Sequence, residues 1–460
     1  MPRPPSRDIP VVRGDRLTVT VDGFGDGPDG IARIGDYIVF VPGVLPGERA
    51  YVEITSAARK YGRAILLDIE HPARERVEPR CAHFLACGGC HRQHQAYASQ
   101  LTSKQARLQR TVSFALGDAA PTVMATVPAA SPYGERHKVA AQLLQAPDGR
   151  LVTGLHRTRS PDLVAVHECP ASDALAWDLI ERTVELLNRL PHRAWDPWFA
   201  PKALLRSVLV RTTTDGYAHL VLVAIEPQIL GLDDLIDELF AAGASSISVN
   251  HNPGDPARLL GPHTELVAGR PFVFEHLAGC TYRIAPTTFF QTSPRMAEQL
   301  IEHVVGWLAP TGDDDVGDLY CGGGLLTLPL ARLARSAFGI ERNGFAIDDA
   351  RASAVESRIT NTTFRAGDSL GWLRACGREL PRPHLVAMDP PRTGLDAGVA
   401  EELQRLAPQR IAHVSCEPQS LQRDLRDLQA AGFRCVQVVP FDMFPQTGHV
   451  ESVAMLERGV

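Results

Sequence analysis

The chain has 460 residues, of which 44% are hydrophobic and 22% are charged, and its formal net charge is −6. This length predicts two or three domains, and no apolar run approaches the roughly 18 residues of a membrane helix. The composition excludes a membrane-embedded protein and one coated in positive charge. Because the N-terminus has no apolar signal core, a cytoplasmic protein is expected.

Three regions follow one another along the chain. Residues 10 to about 70 alternate apolar and polar side chains with period two, which predicts an OB-like β-barrel over 1–72. A cysteine-rich turn and a helix over Tyr97–Leu116 open a central α+β region, 73–287. From 288 to 460, buried strands alternate with helices, including one predicted over Leu325–Ala334. This pattern predicts a Rossmann-like, doubly wound α/β domain.

Basic residues are concentrated between Cys81 and Ser160, a stretch that contains nine Lys and Arg residues and three Asp and Glu residues. A basic face of this kind suits a nucleic acid, because binding depends on local charge. A solvated surface with few acids is the alternative interpretation.

The stretch DLYCGGGLLTLPLA, from Asp318, runs from a strand into a glycine turn that opens a helix. Glycine lets a ligand approach the backbone closely. The spacing is not that of dinucleotide sites and matches the first motif of Rossmann-like methyltransferases. Glu341 ends the next strand, where an acid can accept both ribose hydroxyls of S-adenosylmethionine.

The stretch MDPPRTGL places two prolines after a strand, which predicts a stiff loop that fixes Asp389 and Arg392 at the sheet edge. Amino-group methyltransferases use a related Asp/Asn-Pro-Pro followed by an aromatic residue. Here an arginine stands at that position.

Cys416 follows a short apolar run and precedes a helical segment. A thiol near a helix N-terminus is expected to have a lowered pKa, which favours the nucleophilic thiolate. Glu451 precedes an apolar strand at the edge of the same predicted sheet. A cysteine and a carboxylate at neighbouring strand ends suit a reaction that adds to a ring and later removes a proton. His449 is the second candidate for the base.

Four cysteines have a spacing typical of a metal site: Cys81, Cys87, Cys90 and Cys169. Four thiolates suit either zinc or a [4Fe–4S] cluster. The wide first spacing and the Cys-Pro ending favour the cluster, and zinc stays open. The four other cysteines outside the catalytic motif are interpreted as packing residues.

These motifs together resemble the RNA 5-methyluridine methyltransferases, which use S-adenosylmethionine to methylate C5 of uracil in ribosomal or transfer RNA. The resemblance covers nearly the whole chain. Residues 1–72 resemble the TRAM domain, an RNA-binding barrel, and CAHFLACGGC with HECP resembles the family's iron–sulfur ligand set. FFQTS, YCGGG, MDPPR, VSCEP and HVES stand in the family's order and spacing.

The resemblance implies that Cys416 is the nucleophile, which adds to C6 of uracil, and that Glu451 is the base. It implies S-adenosylmethionine as methyl donor and a [4Fe–4S] cluster on the four cysteines. The residues implied to contact the donor or the target base are Gln291, Tyr320, Gly322, Gly324, Leu325, Glu341, Asp368 and Asp389.

Three positions depart from the family pattern. Glu417 stands where the family usually has Asn, Leu325 replaces a frequent Asn, and FFQTS replaces Phe-Phe-Gln-Val-Asn. These departures concern the substrate site more than the reaction.

The expected substrate is a uridine in loop or single-stranded RNA, since the base must leave its stack to react. A TRAM domain with a cluster favours 23S ribosomal RNA over transfer RNA. The alternatives are a transfer RNA uracil-C5 methyltransferase, an amino-group methyltransferase that uses DPPR and leaves Cys416 idle, and a non-catalytic RNA-binding relative. No membrane partner is expected, and a monomer is the default.

Overall fold

A computed structural model describes residues 9–25, 27–255 and 258–459. The chain divides into two compact units. The N-terminal unit comprises Met1–Gln100, Leu155–Glu168 and Gln446–Gly448. The C-terminal unit comprises Leu101–Gly154, Cys169–Pro445 and His449–Val460. No helix in the described ranges is both long and apolar enough to cross a membrane.

The N-terminal unit contains a closed five-stranded barrel of strand order β1-β2-β3-β5-β4. Val19, Val39 and Val52 lie in its interior and are at most 4% exposed, as the period-two pattern requires. Closure leaves the sheet without an open edge. The strands are β1 Arg16–Phe24, β2 Gly30–Ile34, β3 Tyr37–Val41, β4 Arg49–Ala57 and β5 Tyr61–His71.

A helix, α1 (Tyr97–Leu116), follows the cysteine-rich segment, and a 3₁₀ turn over Gly117–Ala119 follows the helix. The bounds of α1 are those predicted from the sequence, because no glycine or proline interrupts this segment.

The central part of the C-terminal unit is built on six strands in the order β12-β11-β10-β9-β6-β7. All neighbours are antiparallel except β10 and β11. The strands are β6 Lys138–Gln145, β7 Leu151–His156, β9 Leu205–Thr212, β10 Ala218–Ala224, β11 Ser246–His251 and β12 His263–Ala268. The short β8 (Leu163–Ala165) lies in the N-terminal unit.

Two helices accompany this sheet. The helix α2 (Ala174–Leu187) packs against β6, β9 and β10, and Asp173 caps it by accepting a hydrogen bond from the Ala176 amide. A 3₁₀ turn, Asp233–Leu235, leads into α3 (Ile236–Ala241). A hairpin of β13 (Val273–Leu277) and β14 (Cys280–Ile284) then leads toward the last domain.

The last domain is a seven-stranded sheet of order β17-β16-β15-β18-β19-β21-β20. Its strands are parallel except β21, which runs antiparallel to β19 and β20. The strands are β15 Asp315–Leu319, β16 Ser336–Glu341, β17 Thr362–Ala366, β18 Leu385–Met388, β19 Arg410–Ser415, β20 Phe433–Phe441 and β21 Glu451–Arg458.

Helices cover both faces of this sheet, so β15 and β18 are buried along their whole length, as parallel strands usually are. The helices are α4 Pro294–Leu308, α5 Thr327–Ala331, α6 Gly344–Glu356, α7 Ser369–Ala375, α8 Val399–Leu406 and α9 Pro418–Ala430. The barrel, the central α+β region and the doubly wound sheet together confirm the predicted fold class. The exact domain limits of 1–72, 73–287 and 288–460 stay predictions.

Candidate active site

Cys416 and Glu451 lie at the same edge of the doubly wound sheet. Ser415, the last residue of β19, is paired with Ser452 of β21. Cys416 follows β19, and Glu451 begins β21, so the antiparallel pairing brings both residues to the carboxyl ends of the parallel strands. Asp389 follows the neighbouring strand β18 at the same edge. In open α/β sheets this edge is where ligands bind.

Glu451 is 3% exposed, and its Oε1 has no hydrogen-bond partner among the described residues. Burial raises the pKa of Glu451 well above its ordinary value, the negative charge of Asp389 adds to this effect, and Arg392 opposes it. A buried carboxyl oxygen without a partner is costly and is therefore suited to accept a proton from a ligand.

The thiol of Cys416 is half-buried, and burial raises its pKa to about 11. The negative charges of Glu451 and Asp389 contribute to this raised pKa, while Arg392 opposes them. The expectation of a lowered thiol pKa was wrong. The helix N-terminus follows at Pro418, but two buried acids and desolvation outweigh the helix dipole.

Asp389 lies at the base of the Asp-Pro-Pro loop, and burial raises its pKa to about 6 despite the opposing effect of His413. The loop is held from below by Asp424, which accepts a hydrogen bond from the Leu395 amide at 3.1 Å. Gly394 has φ +78°, and a Cβ there would lie 2.6 Å from Asp424 Oδ2. The loop can therefore pass this close to Asp424 only with glycine at that position.

The glycine turn after β15 leaves room for a ligand beside Glu341. Gly322 has φ +52°, and a Cβ at that position would meet no atom within 4 Å. Its amide donates to Glu341 Oε2 at 3.3 Å, and the Asn343 amide donates to Oε1 at 2.8 Å. Gly324 also has a positive φ, +85°. An acid at a strand end beside open backbone fits a ribose of a methyl donor.

Beneath the turn, Asp318 is 1% exposed and accepts a hydrogen bond from Thr327, while its Oδ1 has no partner in the described chain. Burial raises the pKa of Asp318 to about 7. The sequence motif that Asp318 opens predicted no role for this residue.

Tyr320 and Asp368 are joined through two residues that the sequence analysis did not select. The Tyr320 hydroxyl donates to Asp396 Oδ2 at 3.1 Å. The guanidinium of Arg342 donates to Asp396 at 3.0 Å and to Asp368 at 3.1 Å. Tyr320 itself has a left-handed φ of +61°, which is strained for a bulky residue. The network connects the loops that follow four neighbouring strands, and the position of Arg342 next to Glu341 is its only sequence signal.

Gln291 and Leu325 lie apart from this network. Gln291 is 5% exposed and precedes α4. The Leu325 side chain packs against the hydrophobic core, and its carbonyl oxygen accepts a hydrogen bond from the Tyr282 hydroxyl at 2.9 Å. Leu325 therefore offers a backbone contact and an apolar surface.

His449, the second candidate base, is half-buried two residues before Glu451. Burial lowers its pKa, and the positive charges of Arg392 and Arg107 lower it further. A neutral imidazole beside Arg392 is a weaker proton acceptor than the carboxylate of Glu451.

The four cysteines of the predicted metal site are divided between the two units. Cys81, Cys87 and Cys90 belong to the N-terminal unit and Cys169 to the C-terminal unit. Within the described residues, no group of three or more His, Cys, Asp or Glu side chains is arranged to hold a metal ion. The [4Fe–4S] assignment stays a prediction.

Comparisons with known proteins agree with this arrangement. The TRAM domain matches residues 10–67, and the family described as tRNA (Uracil-5-)-methyltransferase matches residues 382–459. An uncharacterized RNA methyltransferase of Thermosynechococcus vestitus is 32% identical, over 96% of this chain and 98% of that protein. Another, of Gloeobacter violaceus, is 33% identical, over 97% and 98%.

Among solved structures, Pyrococcus abyssi tRNA (uracil-54, C5)-methyltransferase in complex with S-adenosyl-L-homocysteine superimposes with a TM-score of 0.76. It is 24% identical in sequence, and the match covers 95% of this chain and 99% of that one. At this identity the similarity shows a shared fold.

Proposed function

Because the chain belongs to the RNA (uracil-5-)-methyltransferase family, whose members depend on S-adenosylmethionine, we propose that it methylates C5 of one uridine through a transient bond between Cys416 and C6. The observation that carries this proposal is the pairing of Ser415 with Ser452, which brings Cys416 and Glu451 to one sheet edge. Neither residue has an evident structural task there that would explain a buried acid beside a thiol.

The reaction follows from the weakness of C5 of uracil as a nucleophile. The Cys416 thiol releases its proton to solvent, and the sulfur adds to C6, so that electron density moves to C5. S-adenosylmethionine would supply an electrophilic methyl group, which C5 takes up as the bond from sulfur to that methyl breaks and S-adenosylhomocysteine leaves. Glu451 then accepts the C5 proton, the C5–C6 double bond re-forms and the sulfur leaves C6.

The electrostatics of the site suit the two tasks. A thiol whose pKa is about 11 forms a strongly nucleophilic sulfur once it is deprotonated. A carboxylate whose pKa is raised by burial is a stronger base than one in water. Arg392 opposes both pKa shifts, because its positive charge stabilises the Cys416 thiolate and the Glu451 carboxylate.

We propose 23S ribosomal RNA as the substrate, on the combination of a TRAM domain and the cysteine motif. Transfer RNA is the second candidate, because the matching family and the solved relative are both described by transfer RNA. Purified protein should be incubated with S-adenosylmethionine and with separated ribosomal and transfer RNA from cells that lack the gene, followed by nucleoside mass spectrometry.

The expected product is 5-methyluridine in the 23S fraction with wild-type protein and none with Cys416→Ala. If 5-methyluridine appears only in transfer RNA, the substrate assignment fails while the reaction stands. If Cys416→Ala retains activity and the product carries an N-methyl group, the amino-group alternative through DPPR replaces the proposal.

The proposed reaction assigns no step to the [4Fe–4S] cluster. Iron and acid-labile sulfide should be determined on protein that is purified without oxygen. About four of each per chain would support the cluster, whereas zinc or no metal would remove it.

A further inference from the structure

Lys138 and Arg211 stand directly opposite each other on neighbouring strands of the central sheet. Lys138 begins β6, and its cross-strand partner in β9 is Arg211. Directly opposed residues project from the same face of a sheet, with Cβ atoms about 5 Å apart. Like charges at such positions destabilise the sheet, so the pair costs stability unless an anion offsets it.

Neither cation has a carboxylate partner within the described residues. Arg211 is 5% exposed, its Nη2 donates to a carbonyl oxygen, and its Nε has no partner. Lys138 is half-buried and forms no ion pair in the part of the chain that the structure describes. Glu275, whose charge acts on Arg211, accepts its hydrogen bonds from Thr214 and from the His276 amide.

The charge of Glu275 acts on Arg211, but no ion pair to Lys138 or Arg211 is formed by the described side chains around them. His219, the partner of Arg211 on β10, is a neutral ring because burial lowers its pKa to about 4, and its Nε2 lies 2.9 Å from Ser248 Oγ. Burial also lowers the pKa of Lys138 to about 8 and that of Arg211 to about 10. Both side chains are therefore still cations near neutral pH.

The pair is connected to the segment before α4 that contains Thr288 and Gln291. Arg211 Nη2 donates to the Thr288 carbonyl oxygen at 3.3 Å. Thr288 hydrogen-bonds to Asp349 through its hydroxyl, and its methyl group lies 3.8 Å from the position of a Cβ on Gly323. The same loop carries Gln291 after Thr288. An anion that contacts Lys138 and Arg211 would therefore lie beside the segment that carries Thr288 and Gln291.

We propose that Lys138 and Arg211 form a phosphodiester-binding subsite, which holds an RNA phosphate near the uridine that enters the active site. The role of this subsite in the reaction depends on the proposed function. Its ligand chemistry is that of a phosphate, which a free phosphate ion shares. A buried arginine with an unused N–H and a half-buried lysine are a suitable set of donors for it.

The test is the salt dependence of RNA binding by full-length Lys138→Met protein, with fragmented 23S RNA as the probe. Loss of one phosphate contact should weaken binding and reduce the slope of log affinity against log salt by about 0.7 to 1. Lys138→Arg should retain most of the affinity. Lys202→Met is the matched control, because Lys202 is an exposed lysine on the segment before β9, and its slope should stay close to wild type.

Thermal unfolding separates this role from a structural one. Removal of a like-charge neighbour should leave the Tm of Lys138→Met unchanged or raise it, whereas loss of a structural lysine would lower it. A lowered Tm with an unchanged salt slope would overturn the proposal. A second result would also overturn it: inorganic phosphate stabilises wild type more than Lys138→Met, while both proteins bind RNA equally well. The subsite would then bind a free anion and not an RNA phosphate.

Failure of the methylation proposal gives a different result. Wild-type protein that binds RNA but forms no 5-methyluridine would refute the reaction. The difference in salt slope between Lys138→Met and Lys202→Met would still decide the subsite.

Discussion

The Ser452 hydroxyl donates a hydrogen bond to the carbonyl oxygen of Ser415 at 3.1 Å, and the two residues are also paired in the β19–β21 ladder. This double connection fixes the ends of two antiparallel strands. Cys416 is the residue after Ser415, and Glu451 is the residue before Ser452. The sheet register thus brings the proposed nucleophile and the proposed base, which are 35 positions apart in the chain, to the same edge of the sheet.

The pKa of Cys416 should respond to Asp389. Below a thiol pKa of about 11, alkylation by iodoacetamide should quicken about tenfold for each pH unit. The Asp389 carboxylate is ionised above about pH 6 and disfavours the thiolate, so Asp389→Asn should lower the thiol pKa and speed alkylation at any given pH. Peptide mapping by mass spectrometry measures this rate.

Cys435 is the control within the same protein. Burial raises its pKa to about 12, and Asp389 is not among the groups that shift it. Its slow alkylation should not change in Asp389→Asn. If Cys416 is alkylated equally fast in both proteins, the carboxylate does not act on the thiol.

Glu341→Gln should weaken binding of S-adenosylhomocysteine by about ten- to a hundredfold, since a hydrogen bond to a charged group contributes about 1.5–3 kcal/mol. Titration calorimetry measures the affinity. Glu356→Gln, at the exposed end of α6, is the matched control and should bind like wild type. Equal affinity of Glu341→Gln and wild type would exclude Glu341 as a donor ligand.

Asp424→Ala should lower the free energy of unfolding by about 3–5 kcal/mol, because it leaves a buried partner uncompensated. His413 Nε2 lies 3.1 Å from Asp424 Oδ2, and both side chains are fully buried. Urea unfolding measures the change, and Asp427→Ala, one turn later and exposed, should cost little.

The effect of Asp424 should also depend on pH. Burial acts to raise its pKa, but His413, together with hydrogen bonds from Arg423 and the Leu395 amide, outweighs this and lowers it. A lowered folded-state pKa stabilises the fold above the unfolded value and loses that effect as pH falls. The difference between wild type and Asp424→Ala should therefore shrink below about pH 4. A difference that stays constant in acid would contradict the ion pair.

Local sequence patterns predict the architecture because each element follows from short-range periodicity. The barrel strands alternate with period two, and α1 has the predicted bounds Tyr97–Leu116. The helix predicted over Leu325–Ala334 is shorter, Thr327–Ala331. The positive φ of Gly324 delays its start, and the Asn361 side chain binds the carbonyl oxygens of Ala331 and Ala334 past its end. That last contact joins residues about 30 positions apart, so no local pattern reveals it.

The same distinction between local sequence patterns and contacts between distant residues applies to the site. The alternation of strands and helices predicts where the strands end. It therefore predicts that Cys416, Glu451 and Asp389 lie at one edge of the sheet. The raised thiol pKa does not follow from this alternation, because it arises from the convergence of two acids and burial in the folded chain. Arg342 and Asp396 were missed for the same reason, since their link to Tyr320 and Asp368 exists only in three dimensions.

The most direct measurement is a covalent trap. Glu451→Gln protein is incubated with S-adenosylmethionine and 23S RNA, then denatured and separated by gel electrophoresis. Without its base, the enzyme should stall after methyl transfer with Cys416 still bonded to C6, so a protein–RNA adduct should survive denaturation. The double variant Cys416→Ala/Glu451→Gln should give none. An adduct that persists in the double variant, or no adduct from Glu451→Gln while wild type forms 5-methyluridine, would contradict the assignment of nucleophile and base.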